Sequence, residues 1–284
     1  MTENQQINGG NFYVTWHVLC ASLVISVVIC AVGGAFGSLA WLWVLPVGFL
    51  SCFLGLLVLA FLFLCLVCAF VKMEEPQEHD SGFFRRLAVV YIEALVVLLR
   101  VRVHTEGLEK TPKSGRFLLV CNHLHVADPA VLLVYFKKSQ LAFISKKEND
   151  KLFLIGKIMH RIMCQSLDRE NDRNALKTIL KCIQLIKDDE VSIGVFPEGY
   201  TSKDGHLQSF RSGVFKIAQK ADVPIVVCTL QNTRNIFNNI LRLKPTDVEL
   251  HLVGVIPAEE LKGKTAVDIS AQVHQMMAQD LEEK

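Results

Sequence analysis

From about residue 12 to residue 71 the chain runs almost unbroken through apolar residues, and no Asp, Glu, Lys or Arg occurs between Glu3 and Lys72. A helix at the surface of a soluble domain keeps one polar face, and this stretch has none. It is also far longer than the roughly 20 apolar residues that cross a bilayer core. Small residues at 33–38, "GGAFGS", permit one tight turn, so the pattern predicts two helices. The first runs over about 12–33 and the second over about 39–71, with Pro46 kinking or starting the latter. A cleaved signal peptide fits poorly, because there is no basic n-region and the run is too long. The expectation is a membrane-embedded helical hairpin over residues 1–72.

A polar linker follows, "KMEEPQEHDSG". The next segment, "FFRRLAVVYIEALVVLLR", is apolar apart from charges that include Arg86, Glu93 and Arg100 at seven-residue spacing. On a helix those three share a stripe. The pattern fits an interfacial amphipathic helix whose arginines meet phosphate headgroups, and equally a helix packed on the following domain. Residues 73–100 are thus read as linker plus interfacial helix.

Beyond residue 100 short apolar runs alternate with amphipathic segments. "VRVHTE", "FLLVCN", "LAFIS", "IMCQSL", "VSIGVF", "IVVCTL" and "VELHLVGV" are strand candidates. Leu176, Ile179, Leu180, Ile183 and Ile186 recur at helical spacing, and Phe215–Ala221 and Ala266–Leu281 read as two more helices. Strands alternating with helices give an α/β fold, a mixed sheet flanked by helices, over residues 101–284.

Charge and cysteine content sharpen this picture in two ways. Lys72, Arg85 and Arg86 lie just past the hairpin whereas its turn carries no charge, so the large C-terminal part is expected on the cytoplasmic face of the cell membrane. Of nine cysteines, the sole C-x-x-C is Cys65 and Cys68, inside the second apolar helix without a histidine or further cysteine nearby. The thiols read as small core hydrophobes in a reducing compartment, and no metal or cofactor is expected.

Candidate chemistry lies in "NHLHVADP", directly after the second strand candidate. Asp128 before Pro129 makes a good helix start, its carboxylate capping free N–H groups. A second use is open to it. With four residues between them, Asp128 can fold back on His123, fix the imidazole tautomer, and leave the other nitrogen to take a proton from a hydroxyl. Cys121 is a weaker nucleophile candidate, alternating with apolar neighbours in a strand. His125 falls on the opposite side of an extended segment from His123 and is left out. Some seventy residues on, "VFPEGYTS" puts Glu198 and Gly199 at another strand end, where sites in α/β sheets form. Between the two loops, Lys146 and Arg169 lie near further strand ends, and basic groups converging there suit a phosphate.

These four loops, in this order, resemble the glycerophospholipid acyltransferases, in particular the 1-acyl-sn-glycerol-3-phosphate acyltransferases. Asn122, His123 and Asp128 match the family's Asn-His-x-x-x-x-Asp, and Arg169 in "SLDR", preceded by Lys146, matches the second block. Phe196, Pro197, Glu198, Gly199 and Ser202 match the third, and "VPIVVC" with Pro224 the fourth. The resemblance covers about residues 100–255. It implies that His123 is the general base and Asp128 its orienting partner. It also implies that Lys146 and Arg169 hold an acceptor phosphate, while Glu198 and Gly199 shape the acceptor side. The implied partners are acyl-CoA or acyl-carrier protein, a lysophospholipid acceptor and membrane lipid; nucleic acid is not among them. One departure stands out. Thr201, preceded by Tyr200, occupies the place of the third-block arginine that helps to hold the acceptor's phosphate in the family. The rival readings are another lysophospholipid or glycerol 3-phosphate as acceptor, or a hydrolase, although no G-x-S-x-G elbow is present.

Overall fold

The computed structural model describes residues 13–168, 172–202 and 204–282. Contacts divide the chain into a helical unit, residues 11–74, and an α/β unit that begins at residue 75.

The helical unit is a pair of helices, α1 (Tyr13–Val32) and α2 (Trp41–Ala69), each without a charged residue. Both are long and apolar enough to cross a membrane by length and composition. The turn between them passes through Gly34 in the left-handed region, φ 66°. The helices meet over small residues. Ser22 and Ser26 are buried, their hydroxyls donating to Val18 O and Ser22 O one turn back, and Gly48 of α2 lies against Ser26. Close approach over serine and glycine is how apolar helices pack when there is no water to drive them together. Most other large side chains of the pair, such as Val24 and Leu59, stay exposed, which is the reverse of a soluble core helix. Pro46 sits inside α2, past its first turn, so it does not start the helix.

The α/β unit opens with α3 (Gly82–Leu98), capped by Ser81, whose hydroxyl accepts the Phe84 N–H. Its elements then run β1 (Val101–Glu106), β2 (Leu118–Cys121), α4 (Asp128–Tyr135), β3 (Leu141–Lys146), α5 (Phe153–Arg161), β4 (Gln165–Leu167) and α6 (Asp172–Lys187). They continue β5 (Ser192–Val195), α7 (Lys216–Ala221), β6 (Ile225–Gln231), α8 (Asn235–Leu241), β7 (Thr246–Ile256) and α9 (Ala266–Glu282). All seven strand candidates form strands, in the order β1-β7-β6-β2-β5-β3-β4. Neighbours are parallel except β6 and β7, so the sheet is mixed. Parallel neighbours require crossover connections, and these carry α4 to α7.

Alternation along the central strands feeds two cores. Leu118 and Val120 of β2 pack with Ile193, Val195 and the inner faces of α6, α7 and α9. Leu119 and Cys121 point the other way, onto Val131, Leu132 and Phe136 at α4 and Ile236 of α8. Cys121, Cys182 and Cys228 are fully buried and free, and burial raises the Cys182 thiol to about 12.

Helix α3 does not carry its charges as a single outward stripe. It ends at Leu98, and Arg100 lies beyond it at φ 55°, donating to Leu243 O. Glu93 turns inward and is buried against Lys137, 2.9 Å away. Arg85 is the main anchor. Its guanidinium forks onto Asp80 at 2.7 and 2.8 Å and also donates to Leu141 O and Ile162 O. Asp80, β3 and the end of α5 are thereby tied to one buried cation. Arg85→Ala leaves the buried Asp80 carboxylate and two carbonyls without their donor. Denaturant titration of the detergent-solubilised protein should show a loss of about 3–5 kcal/mol, against little change for the exposed neighbour in Arg86→Ala.

Candidate active site

The sheet's central strands β6, β2 and β5 are parallel, so their C-terminal ends open on one edge, the usual place for a site in an open α/β sheet. Asn122, the first residue past β2, ties that edge together. Its amide donates to Leu230 O at 2.9 Å and accepts Leu230 N–H at 2.7 Å, linking β2 to β6. His123 follows, with 18% of its side chain exposed.

Asp128 is completely buried, and its carboxylate faces backwards. One oxygen, Oδ2, accepts three N–H groups: His123 Nδ1 at 2.9 Å, Leu124 N at 2.7 Å and His125 N at 2.8 Å. The expected capping of its own helix is therefore not what the carboxylate does; it gathers the preceding loop instead. Pro129, which lacks an N–H, stands in the first turn of α4. With Nδ1 donating to Asp128, Nε2 is the imidazole nitrogen left as proton acceptor.

The loop after β5 closes over the histidine from the other side. Glu198, 1% exposed, receives His123 N–H at 2.7 Å through Oε1 and Gln208 N–H at 3.1 Å through Oε2. Burial pushes its carboxyl above the ordinary range, against the pull of those two donors. Glu198 thus braces two loops, and both its oxygens are engaged within the protein. Gly199 makes the turn, at φ 80°, where a Cβ would strike Arg211 Nε at 2.8 Å. Ser202 N–H donates to His123 O at 2.8 Å. Phe196 stacks on the imidazole at 4.3 Å between centroids, and Phe143 stacks behind Phe196.

Other sequence candidates fall out differently. His125 packs edge-on against Phe237, and burial lowers its pKa. Cys121 is fully buried, and burial lifts its thiol far above the usual range, which removes it as a nucleophile. Lys146 is exposed at the end of β3, one strand beyond β5 on the same edge. Arg169 lies outside the described residues. Three contacts had no clear signal in the sequence, although Phe196 and Thr201 stand in the third block: Phe196 stacked on His123, the Gln208 amide on Glu198, and the Thr201 hydroxyl 3.4 Å from His123 Nε2.

Comparison with known proteins bears on the family and the fold. Residues 102–231, a little under half of the chain, match the Acyltransferase family. Within that family its similarity runs to 1-acyl-sn-glycerol-3-phosphate acyltransferases, as the four blocks imply. The chloroplastic enzyme of that name from Arabidopsis thaliana is 35% identical over 136 residues, which are 48% of this chain and 37% of that one. The Borreliella burgdorferi enzyme is 24% identical over 202 residues, 69% of this chain and 80% of its own length. The chain thus spans little more than a third of the plant relative and four fifths of the bacterial one. The crystal structure of the 1-acyl-sn-glycerophosphate acyltransferase PlsC from Thermotoga maritima shares the fold, with a TM-score of 0.60 at 22% identity, over 78% of this chain and 86% of that one.

Because one Asp128 oxygen sets both the imidazole and the loop, Asp128→Asn should lower turnover by about a hundredfold or more, as loss of an oriented base does. His123→Ala should abolish turnover. His125→Ala, which leaves His123 Nδ1 on the Asp128 carboxylate, should stay within about tenfold of wild type when transfer of labelled acyl groups is measured for all three variants.

Proposed function

We propose that the protein is a membrane-bound acyltransferase. It moves a fatty acyl group from a thioester donor, acyl-CoA or acyl-carrier protein, to the free hydroxyl of 1-acyl-sn-glycerol 3-phosphate, giving phosphatidate. The observation that carries this reading is the imidazole of His123, held through Nδ1 by the buried Asp128 at the open edge of the sheet, in the segment that matches the Acyltransferase family. Nε2 takes the proton of the attacking hydroxyl, and Asp128 stabilises the imidazolium that forms. The new C–O ester bond forms as the C–S bond breaks, and the proton leaves with the thiol. Lys146 and Arg169 hold the acceptor's phosphate, a role carried from the family resemblance. Glu198 and Gly199 set the loop that faces the acceptor, Glu198 through the backbone rather than by touching substrate.

The helices α1 and α2 anchor the protein in a membrane, with the α/β unit on the cytoplasmic face of the cell membrane. Their length, uniform apolarity and exposed side chains support this, as do the basic residues that follow them. A second reading keeps the chemistry and changes the acceptor to another lysophospholipid. It is favoured by Thr201, which stands at the histidine in place of a phosphate-binding arginine.

Purified protein given labelled acyl-CoA and a panel of lysolipids should make phosphatidate fastest, with little free fatty acid. Faster acylation of a zwitterionic lysolipid would move the second reading ahead, and free fatty acid as main product would overturn both. Lys146→Ala and Arg169→Ala should each raise the KM for lysophosphatidate about ten- to a hundredfold, the worth of one charged contact, with the donor KM little changed. The full chain should remain with membranes after washing in high salt, because burial of apolar surface is not screened as surface charge is. Release by salt would sink the anchor.

A further inference from the structure

We propose that the outer face of α8, with the turn after it, docks on an anionic lipid surface and brings the histidine's edge of the sheet to a lipid acceptor. This deepens the membrane-bound acyltransferase reading, on which it rests, by naming the part of the α/β unit that meets lipid.

Helix α8 follows β6, so it starts at the same edge of the sheet as the loop that carries His123. Its seven residues are patterned the wrong way round for water. Ile236 turns into the core, while Phe237 and Leu241, four residues apart and on one face, stay exposed, Leu241 by 87%. Leu243, just past the helix, is 81% exposed. The surface continues to either side. Phe237 meets His125 edge-on at 4.7 Å between ring centroids, and Val126 beside it is exposed in the His123 loop itself. In the other direction Arg100 donates to Leu243 O at 2.9 Å, and Leu95 and Leu98 of α3 lie exposed just before Arg100. Single exposed apolar side chains are ordinary, but a connected set beside a site marks a contact surface.

The main chain holds Leu243 outward. It sits at φ 52°, in the left-handed region that residues other than glycine seldom enter, and its partner Arg100 sits at φ 55°. Leu243 N–H donates to Ile240 O and Lys244 N–H to Asn239 O, so with the Arg100 contact three hydrogen bonds fix the turn. A conformation that costs free energy and leaves a leucine in the open fits a surface that meets something apolar.

Charge decides what that is. Between Asp222 and Asp247 the chain has no acidic residue, yet it carries Arg234, Arg242 and Lys244. Val248 shares a core with Ile236, so Asp247, one residue before it, faces the other side of the sheet, where it pairs with His104. Among the described residues neither Arg242 nor Lys244 has a carboxylate partner. Apolar side chains ringed by such cations suit the headgroup layer of an anionic membrane, where the apolar groups insert and the cations meet phosphate. A second copy of the chain fits less well, because a two-fold pairing of this face would set the same cations against each other. An acceptor lying in the lipid surface then reaches the His123 loop without its acyl chain crossing water.

The test uses the full-length protein in vesicles of phosphatidylcholine, with or without phosphatidylglycerol, that contain a phospholipid photoreactive near its glycerol. After irradiation and digestion, we expect lipid adducts on residues 235–242 that are strong in the anionic vesicles and weak in the neutral ones. Leu241→Gln combined with Leu243→Asn, the latter a residue that tolerates the left-handed turn, should cut those adducts, and the rate on lysophosphatidate presented in anionic vesicles, about tenfold or more, as loss of a buried leucine does. Its thermal unfolding and its rate on lysophosphatidate in detergent micelles should match wild type. Absence of adducts on residues 235–242 in wild type, or equal labelling in neutral vesicles, would overturn the proposal. So would adducts that vanish as the protein-to-lipid ratio is raised, which would assign the face to a second copy. Adducts on α1 and α2 report the membrane anchor separately, and transfer in micelles reports the acyltransferase reading, so each can fail without the other.

Discussion

A fully buried carboxylate oxygen that accepts three N–H groups is the constraint around which the rest of the site is arranged. Asp128 Oδ2 receives one imidazole and two backbone donors within a single short loop. A buried carboxylate is stable only when it is well supplied with donors, so the loop cannot relax without orphaning it. The orientation of the imidazole and the conformation of the loop are therefore one requirement. The same carboxylate that orients the imidazole also folds the segment that carries it, and Asp128 Oδ1, buried with no hydrogen-bond partner among the described residues, shows how completely Oδ2 bears that task.

The second carboxylate, Glu198, works on a larger scale. By taking His123 N–H and Gln208 N–H it joins the loop after β2 to the loop after β5, two segments some seventy residues apart. Parallel strands make this possible, because their C-terminal ends fall on one edge and their loops meet there. Asn122 makes the matching connection on the β6 side. The histidine is thus held by Asp128 through its ring, by Glu198 and Ser202 through its backbone, and by Phe196 across its face. An imidazole held on four sides needs little reorganisation, the condition that preorganised catalysis requires of a base such as the one proposed here.

The helical unit obeys a different physics. Its two helices contact each other through Ser22, Ser26 and Gly48 and turn their large side chains outward, as suits an apolar surrounding. Immediately after it the chain returns to the rules of water-soluble packing. Arg85 and Asp80 are buried only because each supplies the other's hydrogen bonds and two carbonyls complete the set.

Much of this was determined by the sequence alone. The two apolar helices, all seven strands, and the pairing of His123 with Asp128 were legible because each depends on local pattern: uninterrupted apolarity, short apolar runs between amphipathic segments, and a fixed spacing inside one loop. Helices α5 and α8 were not foreseen; they are short, nine and seven residues, too few for a repeating pattern to stand out. The inward turn of Glu93 was equally hidden, since seven-residue spacing fixes a stripe but not what it faces. What only the tertiary structure decided is every relation between loops. Glu198 looks like a substrate-side carboxylate in the sequence, yet its oxygens are engaged by the amides of His123 and Gln208. Thr201 looks like a lost arginine, yet its hydroxyl sits at His123 Nε2. Those partners lie ten to eighty residues apart along the chain, and no periodicity or spacing reports on contacts that exist only once parallel strands have brought their ends to one edge.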